Sequence, residues 1–138
     1  MGSWELLDHT ADVRLFVRGD DITDLFITAA RALSELLIGV VRPDTIEYRT
    51  IRAEGEGFEE LLVDWLREIL FLLQGEGIIV VEHEIIEIDG AHLAARCGCA
   101  AFDQETMSVK TDIKAITYHD LSVIEDDRGV SARIVCDV

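Results

Sequence analysis

Eight apolar side chains between Phe58 and Leu73 repeat at helical spacing. Phe58, Leu61, Leu62, Trp65, Leu66, Ile69, Leu70 and Leu73 stand at i, i+3, i+4, i+7, i+8, i+11, i+12 and i+15. Glu59, Glu60, Asp64, Arg67 and Glu68 take the opposite side, and Gly75 is the expected stop. A helix with one broad apolar stripe must bury it on another layer, and the rest of the chain supplies mostly strands for that layer. A shorter stripe, Leu25, Phe26, Ala29, Ala30, Leu33, Leu36 and Leu37, predicts a first helix. Thr23 is its cap, Asp24 lies in the first turn and Gly39 ends it. Val13 to Arg18 alternates as a half-buried strand, and Ile46, Tyr48 and Thr50 suggest another. From Ile78 onward the chain reads as strands. They include Leu93 to Phe102, Ser108 to His119, Leu121 to Ile124 and Val130 to Asp137, with tight turns at Asp89-Gly90 and Arg128-Gly129. The expected fold is a single α+β domain over residues 1–138, a mainly antiparallel sheet carrying two amphipathic helices.

Composition narrows the function. With 49% apolar residues in 138, the chain can build a core without staples, and no apolar run approaches a membrane span of about 18 residues. No basic-then-apolar leader precedes the first strand, and three cysteines do not make a disulfide framework. Both features suggest a cytoplasmic protein. A formal charge of −16 repels phosphate backbones, so direct nucleic-acid binding is not expected. The same charge favours a basic partner protein and holds cations, although solubility or a salt-adapted host would also explain it.

Asp8-His9-Thr10-Ala11-Asp12 packs two carboxylates, an imidazole and a hydroxyl just before the first alternating run. Hard oxygen donors held this closely can bind a divalent cation. Asp12 continues the Arg14, Phe16, Arg18 face, and Asp137 continues the Arg133, Val135 face, so both point away from the apolar sides of their strands. If the first and last strands are neighbours, the two carboxylates converge, with a cation or proton between them. The plainer reading makes Asp8 and Asp12 turn residues and Asp137 a solvated end. Lys114 alternates with Ile116 and Tyr118, which suggests a salt partner such as one of the aspartates, or an intermolecular contact; a lysine snorkelling from a sheet edge is the more frequent case.

Other chemistry finds little support. His9, His83, His92 and His119 lack a helix-borne zinc spacing. Cys97 and Cys99 share a strand face without a second pair, and read as small core residues. No phosphate-binding glycine loop and no G-x-S-x-G elbow occur.

Four segments carry a family resemblance: Asp8-His9-Thr10-Ala11-Asp12-Val13, Leu61-Leu62-Val63-Asp64-Trp65-Leu66, Ile113-Lys114-Ala115-Ile116-Thr117-Tyr118-His119 and Asp137-Val138. In this order and at this chain length they resemble the archease family. The resemblance implies a non-catalytic activator of the RtcB-type RNA ligase in tRNA splicing and RNA repair, one that promotes ligase guanylylation and multiple turnover. It also implies a divalent cation, calcium in the first instance with magnesium or manganese as alternatives, bound by Asp12, Asp137 and Val138. Lys114 matches the family's functional lysine. Asp8, His9 and His119 are candidates for hydrogen-bonding support around these groups. A chaperone-like modulator of nucleic-acid-modifying enzymes such as methyltransferases is the rival reading, and a stand-alone metal-dependent hydrolase the weakest. Oligomeric state is left open.

Overall fold

The computed structural model describes residues 2–9 and 12–138, with the side chains of residues 7–9 outside that description. The elements run β1 (Ser3–His9), β2 (Asp12–Gly19), α1 (Ile22–Ile38), β3 (Glu47–Glu54), α2 (Phe58–Glu76), β4 (Ile78–Ile88), β5 (His92–Ala101), β6 (Ala115–Asp126) and β7 (Gly129–Asp137). The strands form two antiparallel sheets, one ordered β1-β2-β7-β6 and the other β3-β5-β4. The α+β class with two helices therefore holds, with the strands divided between two sheets.

Each helix packs on strands of both sheets. The helices thus join the sheets, and this explains burial beyond the predicted stripes. Thr28 and Ala32 of α1, and Val63 and Leu72 of α2, are buried in addition to the stripe residues. Every residue of α1 is buried or half-buried. Trp65 is fully buried at the centre, and its indole nitrogen donates to the carbonyl of Phe26 at 3.0 Å, which fixes one helix against the other. The inner sheet faces contribute Val13, Leu15, Val17, Ala132, Ile134 and Cys136 on one side, and Ile51, Leu93, Ala95, Cys97 and Cys99 on the other. The thiols of Cys97 and Cys136 are pushed up to about 12 by burial, as expected of core residues.

Several sequence expectations need correction. β1 was not anticipated, because Ser3–His9 lacks clean alternation; it forms by pairing with β2. The cap of α1 is Asp21, whose carboxylate accepts from the Asp24 amide at 2.8 Å; Thr23 lies one residue inside the helix. α2 runs past Gly75 and ends at Gly77, which takes the left-handed conformation (φ 66°). Residues 108–114 are not strand: Lys110 and Thr111 donate to the carbonyl of Leu37, tying that segment to the end of α1. The expected strands at Ser108–His119 and Leu121–Ile124 are replaced by the single β6, with a register shift between Thr117 and Ser122.

Candidate functional site

The order β1-β2-β7-β6 brings the N-terminal hairpin against the final strand, and the register is specific. Asp12, the first residue of β2, lies directly opposite Asp137, the last residue of β7. Opposed residues of an antiparallel pair project from the same face, with Cβ atoms roughly 4.5–5.5 Å apart. The apolar partners Val13↔Cys136 and Leu15↔Ile134 enforce this, since a one-residue slip would turn every one of them to solvent. The juxtaposition of the two carboxylates therefore follows from core packing that begins one residue away.

On its other edge Asp137 pairs with Ala115, and its carbonyl accepts from the Lys114 amide at 2.8 Å. Lys114 lies just ahead of β6, solvent-exposed, so it does not share the strand face with Ile116 and Tyr118 that alternation suggested. Ile116 is fully buried, and Tyr118 sits in the irregular part of β6, half out in solvent. The Lys114 ammonium makes no ion pair among the described residues. Its backbone is held by α2: Gln74 donates to the carbonyl of Ile113, and the Arg67 guanidinium donates to the carbonyl of Ile116 at 3.0 and 3.3 Å. The same guanidinium stacks 4.9 Å from the Tyr118 ring centroid.

Asp12 is partly sheltered, and its carboxylate lies 3.7 Å from Nε of Arg14. Arg14 reaches on to Asp120 at 2.9 Å, and Asp120 lies 3.3 Å from Nε2 of His119. His119 is thus linked to the corner through Asp120 and Arg14 and does not touch Asp12. The Arg14 hydrogen bond, followed by the charge of His119, holds the Asp120 carboxyl below the usual carboxylate range. Asp120 also has a positive φ of 51°, in the irregular stretch that gives β6 extra residues opposite β7. Leu121 from this stretch lines a shallow cavity with Arg14, Arg133 and Val135. Val135 is buried, so the outer face of β7 is less polar than alternation predicted.

Asp8 and His9 pair through their backbones with Arg14 and Val13, which brings them to the same end of the sheet, but their side chains lie outside the described residues. Val138 follows β7 and is 37% exposed. Among the described residues no group of three or more His, Cys, Asp or Glu side chains is placed to hold a metal ion. The described oxygen donors are the carboxylates of Asp12 and Asp137 with the Val138 oxygens beside them. In kind this donor set suits a hard divalent cation, which takes six to eight oxygens, several of them commonly water.

Sequence reasoning did not anticipate Arg14, Arg67 or Gln74. Arg14 could have been found, because it stands two residues from Asp12 on one strand face. Arg67 reads as one more charge on a helix surface, and nothing local marks its carbonyl partner.

Among the described residues no helix is long and apolar enough to cross a membrane. Residues 4–138 match the model of the Archease protein family. "Protein archease" of Pyrococcus abyssi is 34% identical over 143 residues, covering 100% of both chains. "Protein archease" of Methanopyrus kandleri is 33% identical, covering 98% of this chain and 99% of its own. The solution structure of Methanobacterium thermoautotrophicum protein 1598 superposes with a TM-score of 0.80 at 29% identity, covering 98% of each chain. A Thermotoga maritima crystal structure described as "an archease, possible chaperone" shares the fold, with a TM-score of 0.63 at 22% identity. With a family match over nearly its whole length and relatives of equal extent, the chain belongs to the archease family.

Proposed function

We propose that this chain is a non-catalytic activator of an RtcB-type RNA ligase, and that it works through a divalent cation held at the Asp12–Asp137 corner. The observation that carries the reading is the direct pairing of Asp12 with Asp137 across β2 and β7. Two like charges placed opposite each other destabilise a sheet unless something offsets them. Arg14 offsets Asp12 in part at 3.7 Å, and no ion pair to Asp137 is formed among the described residues.

Asp12, Asp137 and an oxygen of Val138 would hold the ion, with calcium the first expectation and magnesium or manganese the alternatives. Bound there, the ion supplies positive charge next to phosphate oxygens that develop negative charge during guanylyl transfer. The chain's own groups place that corner. The Lys114 amide fixes the backbone of Asp137, and Arg67 and Gln74 fix the backbone on either side of Lys114. Lys114 itself is exposed beside the corner, where its ammonium can meet a phosphate or carboxylate of the ligase complex. A net charge of −16 fits a basic docking surface and disfavours RNA as the direct partner.

The test is guanylylation and multiple turnover by an RtcB-type ligase with wild type, Asp12→Asn, Asp137→Asn and Lys114→Ala chains. The reading expects stimulation to be lost in the aspartate variants and reduced in the lysine variant. Full stimulation by both aspartate variants would overturn it and favour a chaperone-like modulator, which has no use for the ion.

A further inference from the structure

A cavity of about 390 Å³ lies between α1, the loop that follows it and β4, which is an edge strand. None of its lining residues belongs to β2, β6 or β7, so it is separate from the Asp12–Asp137 corner. Ile38, Val41 and Val80 give it an apolar wall, and Arg31, Glu35, Arg42 and His83 give it polar groups.

A count of hydrogen bonds shows what the cavity lacks. Glu35 accepts from the Trp4 indole at 3.1 Å. Glu82, also in the lining, accepts from Thr45 and Tyr48. Arg31 gives only Nη2, to the carbonyl of Gly2 at 3.2 Å, and keeps its other N–H groups. Arg42 makes no hydrogen bond or ion pair among the described residues. Nε2 of His83 is buried without a partner. Buried polar atoms are nearly always paired, so this one calls for an explanation. The His83 ring stands edge-on to Trp65, with centroids 6.5 Å apart. The two arginines therefore carry N–H groups with no protein acceptor among the described residues, and the His83 nitrogen between the same elements is unpaired.

We propose that this cavity binds a small organic anion, with one carboxylate or phosphate group held by Arg31 and Arg42 beside His83 and an apolar body against Ile38, Val41 and Val80. The volume suits it, since small-molecule sites span about 300–1,000 Å³. Burial, followed by the charge of Arg31, pushes His83 down to about 4, so at neutral pH the imidazole is uncharged and the two arginines provide the cationic character. The proposal stands independently of the ligase reading.

The experiment is a titration of the full chain, following backbone amide chemical shifts, with benzoate, phenyl phosphate and neutral benzamide as probes. At least one anion should give saturable shifts at residues 38–42 and 80–83. Benzamide should bind about tenfold more weakly or worse, and Arg42→Gln should weaken the anion by a similar factor. Arg42 is exposed on a loop, which makes this variant a mild one; Arg31→Lys gives a second point, and melting curves establish that both fold. A preference for benzoate or for phenyl phosphate identifies the headgroup. No saturable shift with either anion, equal binding of benzamide, or undiminished affinity in Arg42→Gln would overturn the proposal.

Discussion

Arg67→Ala tests how the lysine segment is held. Two Arg67 nitrogens donate to the carbonyl of Ile116 at 3.0 and 3.3 Å, and the guanidinium lies 4.9 Å from the Tyr118 ring centroid. A charged hydrogen bond contributes about 1.5–3 kcal/mol and an exposed cation–π contact about 0.5–1. The Arg67 side chain is partly solvated, so water recovers some of this loss in the variant. A net destabilisation of about 2 kcal/mol follows, equivalent to a Tm lower by roughly 6–10 °C in a domain of this size. Denaturant titration would give the free energy, and amide hydrogen exchange would locate it. Exchange should accelerate at residues 114–118, Lys114 and the start of β6, more than in β2 or β7. Arg67→Lys, which keeps the charge without the forked geometry, should fall between wild type and alanine. A loss below about 0.5 kcal/mol with unchanged exchange at residues 114–118 would refute the claim that α2 positions Lys114.

Two further outcomes follow from the same kind of accounting. The folded-state value of about 4 for His83, against 6.5 unfolded, favours the neutral ring. Its contribution to stability is therefore complete above pH 6.5 and falls away between pH 6.5 and 4, by about 3 kcal/mol in all; the urea midpoint of wild type should fall relative to that of His83→Phe over this range, and parallel curves would contradict this. At Gly98 a Cβ would stand 2.5 Å from Oε2 of Glu82 and 2.7 Å from Oγ1 of Thr45, so Gly98→Ala should break the Glu82–Tyr48 hydrogen bond. That bond, ahead of the Glu82 charge, raises the Tyr48 phenol, and absorbance titration in a Tyr118→Phe background should show it returning toward its ordinary value; an unchanged titration would refute the link.

The sequence was most informative where one local pattern decides the outcome. The stripe from Phe58 to Leu73 is α2, and Gly39 is the end of α1, because apolar periodicity and a glycine stop at positive φ act within one element. Alternation in Val13–Arg18 and Val130–Asp137 was enough to place Asp12 and Asp137 on the outer faces of their strands. Features that depend on non-local partners were not legible. β1 exists because β2 offers it a free edge. The second sheet is a matter of strand order, which periodicity does not encode. Lys114 alternates with Ile116 and Tyr118 in sequence, but β6 begins only at Ala115, because the segment before it is tied to the end of α1 instead. Arg67 and Gln74 look like surface residues of α2 until the carbonyls they bind are known.

The central claim is that Asp12 and Asp137 act as one cation site, and calorimetric titration with calcium tests it most directly. One site is predicted in the wild-type chain, with affinity reduced about tenfold or more in Asp12→Asn and again in Asp137→Asn, and with no further loss when the two are combined. Calcium binding of undiminished affinity in the double variant would contradict the claim.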